Sequence, residues 1–321
     1  MARITPDAPA GLPPSLDNVG VGHEVGDPGG QAAAESGGRS REEAYARLGD
    51  LLDRVHRHSH RPGGAARLAS PAPASKKDPT KLPEAADCRR SFAAIAAAGF
   101  TDVHLRPVPY FNQGVSPWAG HAYPRNPPVP GESRTIKDAG CAPTALAMID
   151  CGLRDAHTRP IDTADFAVSK GVSGTRGQAG SDTDNLARKW AAAHGLDLTA
   201  ATSNNQSRNV GVLKAGLQAN GIALVSVGID AATKRGHFTS GGHVIVINGY
   251  ARRGGEDWFA VANPGRADQA DASRHKGLLT TDDNVMQVDS AHHGVGQVWI
   301  SRTQLVAEMK RCFVFRSGAE S

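Results

Sequence analysis

A chain of 321 residues whose net charge of +4 is spread over mixed acidic and basic side chains has no concentrated basic surface, and no nucleic-acid role is expected. Four cysteines, at 88, 141, 151 and 312, are too few for a disulfide scaffold and lack zinc-type pairing, so free thiols are expected, with no metal and no cofactor. No apolar run is long enough for membrane insertion, and Met1 to Gly20 lacks the charged-then-apolar order of a secretory signal; a cytoplasmic protein, or one secreted by a route without a cleavable signal peptide, is expected.

Residues 1–84 read as a disordered tail. Up to about Arg39 the chain is Pro, Gly, Ala, Ser and Asp with few large apolar residues, too little to offset the entropy of ordering. One short amphipathic helix is expected at about 40–57, opened by the capping box Ser40-Arg41-Glu42-Glu43 and carrying Tyr45, Leu48, Leu51, Leu52 and Val55 on one face. His56, His58 and His60 read as a solvated face rather than a metal site, and 61–83 as linker.

The folded domain is expected over 85–318. A helix through Phe92 and Ile95 should stop at Gly99, followed by an extended Val108-Pro109-Tyr110-Phe111-Asn112-Gln113 and a Pro- and Gly-rich insertion, 114–134, with the look of a substrate-contact or lid element. Next comes Ala139-Gly140-Cys141-Ala142-Pro143-Thr144. Proline is tolerated only in the first turn of a helix, so a helix must begin at or just before Cys141, with Leu146, Ile149 and Leu153 anchoring one face. A thiol there sits at the positive end of the helix, where a thiolate and an oxyanion are both stabilised. Further helices are expected from Asp184 to His194 and from Asn209 to Asn220, each stopped by glycine. After Gly221 the period changes to strands: Ile222 to Ile229, His243 to Ile247, Trp258 to Ala262, Gln297 to Ile300 and Cys312 to Phe315, with a short helix at Thr303 to Met309. Helices first and sheet second is the pattern of an α+β fold, a helical lobe against an antiparallel sheet, with a cleft between them.

A thiol nucleophile needs a base, and the base needs a third group to hold its tautomer. His243 follows Gly241-Gly242 at the mouth of an apolar strand, and Asn263 is driven extended at the end of the next by Pro264. Taken singly, each has an ordinary structural explanation. Asp268 and Asp271 remain alternatives for the third member, Cys151 reads as a buried inert thiol, and His292-His293 reads as a surface pair.

The blocks Cys141-Ala142-Pro143-Thr144, Gly242-His243-Val244-Ile245-Val246 with Asn248-Gly249-Tyr250, and Asn263-Pro264 resemble those of papain-like cysteine peptidases of the bacteriocin-processing group, the cysteine peptidase family 39-like domains. Val108 to Gln113 is similar to the block that supplies that family's oxyanion-hole glutamine. The resemblance covers roughly Arg106 to Phe315 and implies a papain-like architecture: a helical lobe carrying the Cys helix, packed on an antiparallel sheet carrying the His and Asn. It also implies Cys141 as nucleophile, His243 as base and acid, Asn263 as orienting residue and Gln113 as oxyanion donor. This chain departs from the pattern in Asn263-Pro264, where many relatives have Asp-Pro, and in Ala142, where glycine is usual. Asn is the residue papain-type enzymes use in that role, so the first change is compatible with activity; Ala142 adds a methyl near the line of attack.

The function implied is hydrolysis of an amide bond in a protein or peptide substrate through an acyl-enzyme on Cys141, with the thiolate paired to an imidazolium. A deamidase or transamidase using the same triad, and a catalytically silent binding module, are the alternatives. The tail suits a secreted bacterial effector or toxin, its N-terminal segment meeting secretion machinery or a chaperone.

Overall fold

The computed structural model describes residues 80–174, 180–265, 281–288 and 296–318. All belong to the second of two units into which the chain divides, Ala66–Ser321. Residues 1–79 of the expected disordered tail, with its helix at about 40–57, His56, His58 and His60, and likewise Asp268, Asp271, His292 and His293 lie outside the described residues; the tail's last residues are described, and there Thr80 is buried with its Oγ1 2.8 Å from His157 Nδ1.

The fold is α+β. Seven helices are described: α1 (Ala85–Ala97), α2 (Ile136–Ala139), α3 (Cys141–Arg154), α4 (Pro160–Ser169), α5 (Thr183–His194), α6 (Gln206–Gln218) and α7 (Arg302–Glu308). The strands are β1 (Thr101–Leu105), β2 (Leu196–Ala201), β3 (Ile222–Val227), β4 (His243–Arg253), β5 (Glu256–Ala262), β6 (Val285–Gln287), β7 (Val298–Ser301) and β8 (Met309–Ser317). They form one antiparallel sheet in the order β2-β8-β3-β4-β5-β7-β6, with β1 paired to the far half of β4. Two strands precede or interrupt the helices expected to come first. β2 carries Leu196 and Leu198 at alternate positions and pairs in full register with β8, from Leu196 opposite Ser317 to Ala201 opposite Cys312.

Alternation along the strands makes two cores. Ile222, Leu224, Val244, Val246, Ala262, Phe313 and Phe315 face α3, α4 and α5, whereas Ala223, Val225, Ile245, Ile247, Val261 and Val314 face α6 and α7. Helix α3 is buried from Ala142 to Leu153, which explains its almost wholly apolar sequence. Its one carboxylate, Asp150, accepts from Arg154 Nε at 2.7 Å and Nη2 at 2.6 Å, from Thr158 Oγ1 and from Trp190 Nε1. At the far end of α3 the half-buried Arg106 donates Nε to Gly152 O at 2.7 Å and Nη2 to Leu153 O at 3.2 Å, meeting carbonyls that the helix leaves open. Glycine at 152 is required for this seat, since a Cβ there would stand 2.7 Å from Ile222 Cδ1 and 2.8 Å from Val108 Cγ1. The Cys helix is thereby held rigidly against the sheet.

The insertion 114–134, expected as a substrate-contact or lid element, is tied down by its own hydrogen bonds. Ile136 N–H donates to His121 O and Lys137 N–H to Ala119 O, both at 3.0 Å, while Tyr123 N–H meets Arg134 O at 2.7 Å and Arg134 Nε returns to Tyr123 O at 2.9 Å. Trp118 and Tyr123 are buried, so the segment carries its own anchors into the core beneath the Cys turn. Helix α4 was missed at the level of sequence, although Pro160 in its first turn and Asp162, which bonds back to Arg159 N–H, mark its start.

Candidate active site

Cys141 is the first residue of α3, with Gly140 as the cap residue before it. The chain reaches it through α2, whose Thr135 and Asp138 form a capping box, and Gly140 N–H closes on Ile136 O at 2.7 Å. A side chain at 140 has no room: a Cβ would lie 2.5 Å from Ile136 Cγ2 and 2.6 Å from Ile136 O. Pro143 carries no N–H and Thr144 N–H closes on Gly140 O at 3.0 Å, so the thiol stands at the positive end of a helix that starts at Cys141 itself. Of the four cysteines, Cys141 alone is not buried. Burial pushes the Cys88 thiol up to about 11 and the Cys312 thiol up to about 12, which leaves both protonated and inert.

His243 opens β4 and is buried, paired across the sheet with Val227 of β3. Its Nε2 lies 2.7 Å from Asn263 Oδ1, just past the end of β5. The same oxygen accepts Gly265 N–H at 2.9 Å, which identifies it as the amide's acceptor and makes Nε2 the protonated ring nitrogen. Nδ1 is left with its lone pair. Burial lowers the His243 pKa to about 4, against the smaller upward effect of the Asn263 bond. Burial thus works against the imidazolium expected from the sequence and favours the neutral ring.

Gln113 joins the two halves. Its backbone N–H donates to Pro264 O at 2.9 Å, and its side-chain Nε2 donates to Lys137 O at 3.0 Å. One residue thus touches the Asn263-Pro264 corner on the sheet side and α2, the short helix that runs into Gly140-Cys141. Its Oε1 is buried with no hydrogen-bond partner, so the amide is held through its nitrogen. The segment expected to be extended, Val108 to Gln113, is irregular and pinned by Phe111 N–H on Met148 Sδ at 3.4 Å. Direct bonds therefore join His243 with Asn263, and Gln113 with the backbone flanking both Asn263 and the Cys turn; Cys141 enters on α3, which packs on β3 and β4.

Two neighbours were not foreseen. Tyr123 is buried, shares a 2.6 Å hydrogen bond with Ser181 Oγ, and has its hydroxyl pKa raised chiefly by burial, with Cys141 close enough to add to the effect. Arg134 lies over its ring at 5.4 Å. The aromatic residue inside a Pro- and Gly-rich insertion was the available signal. Among the described residues no group of three or more His, Cys, Asp or Glu side chains is placed to hold a metal ion, and no helix is long and apolar enough to cross a membrane.

A search of curated proteins finds no match for this chain. A family model, described as the Peptidase_C39 like family, matches residues 106–277, which takes in Gln113, Cys141, His243 and Asn263. That span is more than half of the chain, and with the α+β architecture above it establishes that the protein belongs to the Peptidase_C39 like family, papain-like hydrolases of the cysteine peptidase type.

Proposed function

We propose that the chain cleaves an amide bond in a protein or peptide substrate through an acyl-enzyme on Cys141, with the catalytic unit spanning 85–318. The observation that carries the reading is the bond from His243 Nε2–H to Asn263 Oδ1, because it leaves Nδ1 as a base with one fixed tautomer. In this reading the Cys141 thiol gives its proton to Nδ1 as sulfur attacks the carbonyl carbon. The imidazolium so formed is held by a neutral amide that does not compete for its proton, and it passes the proton to the leaving amine. Water then attacks the thioester, giving a proton back to Nδ1 and releasing the acid. Gln113 Nε2, which keeps a second N–H beyond the one on Lys137 O, and the Cys141 N–H stabilise the oxyanion, each by about 3 kcal/mol.

Support for Cys141 as the nucleophile is its place at a helix start and its exposure, unlike the other three thiols. The test is alkylation with iodoacetamide followed by peptide mapping. Modification confined to Cys141 and strongly slowed in His243→Ala is the expected result; equal labelling of wild type and variant would overturn the reading. Incubation with candidate substrates then separates peptidase from deamidase or transamidase: a cut chain identifies the first, and a gain of about one dalton identifies deamidation. A chain that labels as expected but changes no substrate would be a binding module on the same fold. The assignment of a secreted effector, with 1–84 contacting secretion machinery or a chaperone, is supported by composition alone.

A further inference from the structure

A second polar cluster lies outside the candidate site, around Glu308, the last residue of α7, whose side chain has no solvent exposure. Its carboxylate accepts the His237 backbone N–H at 3.0 and 3.2 Å, His237 Nδ1 at 2.5 Å, and Gln304 Nε2 at 2.9 Å. The other ring nitrogen, Nε2, reaches Asp282 Oδ2 at 2.8 Å. Asp282 is itself fixed as an acceptor, taking Asn284 N–H at 2.7 Å and Val285 N–H at 3.0 Å. Ionised carboxylates only accept, so a histidine with one on each ring nitrogen satisfies both only when both nitrogens carry protons. His237 is the imidazolium that this geometry demands.

The cluster ties the near root of one loop to His237, farther along it. Residues 228–242 join β3 to β4, and the residue that follows them is His243. At the near root, Gly228 N–H donates to Glu308 O at 2.9 Å, and Val227 pairs with both His243 and Met309. Toward the far root, His237 is followed by the fully buried Phe238 and Thr239, and Thr239 Oγ1 accepts Gly241 N–H at 3.0 Å. The other charged groups along the loop are engaged elsewhere or exposed. Asp230 accepts from Ala232 and Thr233, Lys234 and Arg235 face solvent, and Lys310 of β8 reaches Ile229 O at 3.5 Å. Asp283 adjoins Asp282 in the chain.

We propose that Glu308 and His237, steadied by Asp282, are positioning residues: a charged brace that holds the 228–242 loop and, through it, the place of His243. The inference rests on the reading of His243 as the base. It makes the alignment of one histidine depend on the protonation of another, and where rising pH takes the proton from His237, the brace loosens.

The exposed Lys234 and Arg235 offer a probe that does not involve catalysis. Trypsin cleavage of the full chain after these residues, normalised to an unstructured peptide, is measured from pH 7 to 9, together with the pH profile of Cys141 alkylation. In wild type, loop cleavage should accelerate with pH by at most about tenfold per unit, the limit for one released proton. Glu308→Gln should be cleaved at pH 7 as fast as wild type at pH 9. His237→Asn, which keeps a neutral donor toward Glu308, should be flat with pH and intermediate in rate. Both variants should shift the alkylation profile of Cys141. Flat cleavage in wild type, with His237→Asn indistinguishable from it, overturns the brace; should Glu308→Gln fail to fold, that comparison still decides. A pH-dependent loop with an unmoved alkylation profile overturns the link to His243. Failure of the active-site reading itself shows separately, as His243→Ala leaving Cys141 labelling unchanged.

Discussion

His237 and His243 lie on one short stretch of chain, yet their surroundings push them in opposite directions. His243 is buried against a neutral amide, and desolvation lowers its pKa to about 4. His237 is half-buried between two carboxylates; desolvation lowers its pKa, but the Glu308 and Asp282 hydrogen bonds and charges outweigh it, and the pKa rises above the ordinary 6.5. The difference shows how a single loop holds one imidazole ready to accept a proton and another that must keep its own. Burial without a charged partner lowers the one, and two carboxylates overcome burial at the other.

The largest effect expected from breaking this comparison comes at the neutral histidine. His243→Ala should lower kcat/KM by about 10³-fold, the usual worth of a positioned general base, in the same assay in which Cys141→Ser is inactive. Retention of near wild-type turnover would remove His243 from the mechanism. Gln113→Ala should follow, with a loss of about 10²-fold in kcat and little change in KM, as expected of a donor that acts mainly in the transition state. A loss confined to KM would make Gln113 a ground-state contact.

How much of this was legible in the sequence depended on whether the cause was local. Pro143 confines the start of α3 to its immediate neighbourhood, and the structure begins that helix at Cys141. Asn263, forced extended by Pro264, meets His243 as the adjacent strand ends suggest. Local chemistry also marks the ends of α5 and α6, where glycine follows at 195 and 221; their starts are set by Asp182 and Asn205, each bonding a first-turn N–H, which the sequence reading does not use. What escaped was set by contacts distant in the chain. His237 and Glu308 are separated by 71 residues, and nothing in the neighbourhood of either marks it as half of a pair. The bond from Gln113 to Lys137 spans 24 residues, through a strap whose buried Trp118 and Tyr123 had been masked by its proline and glycine content.

Stability against pH sharpens the comparison, since the two histidines contribute opposite slopes. For His243 the folded pKa of about 4 lies below the ordinary 6.5, so between these values the unfolded chain binds more protons, and stability falls as pH drops through that window. The full cost is about 3 kcal/mol at the acid end. His243→Gln, neutral at every pH and able to donate to Asn263, should remove that part of the acid limb in denaturant titrations at pH 4 and pH 7. For His237, with a raised folded pKa, the contribution is complete below 6.5 and disappears as pH climbs through the folded value. His237→Asn should flatten the alkaline side only. Variants that each flatten the same side would collapse the distinction between the two residues.

The smallest effect expected is also the most direct exchange of one environment for the other. Asn263→Asp places a carboxylate where His243 now has a neutral amide, giving it one of the two partners that keep His237 charged. An adjacent negative charge favours the imidazolium, so the His243 pKa should rise from about 4 toward the ordinary range, opposed still by burial. The acid limb of kcat/KM should therefore move to higher pH, by about one to two units, while activity at pH 8 changes less than about tenfold because Oδ1 remains in place to hold Nε2–H. Gly265 N–H, which shares that oxygen, suits a carboxylate equally well, so the corner should persist. A profile that stays where it was would mean that the Asn263 side chain does not govern the charge on His243. A collapse of activity at every pH would mean that the amide nitrogen, rather than the oxygen seen bonded to the ring, does the positioning.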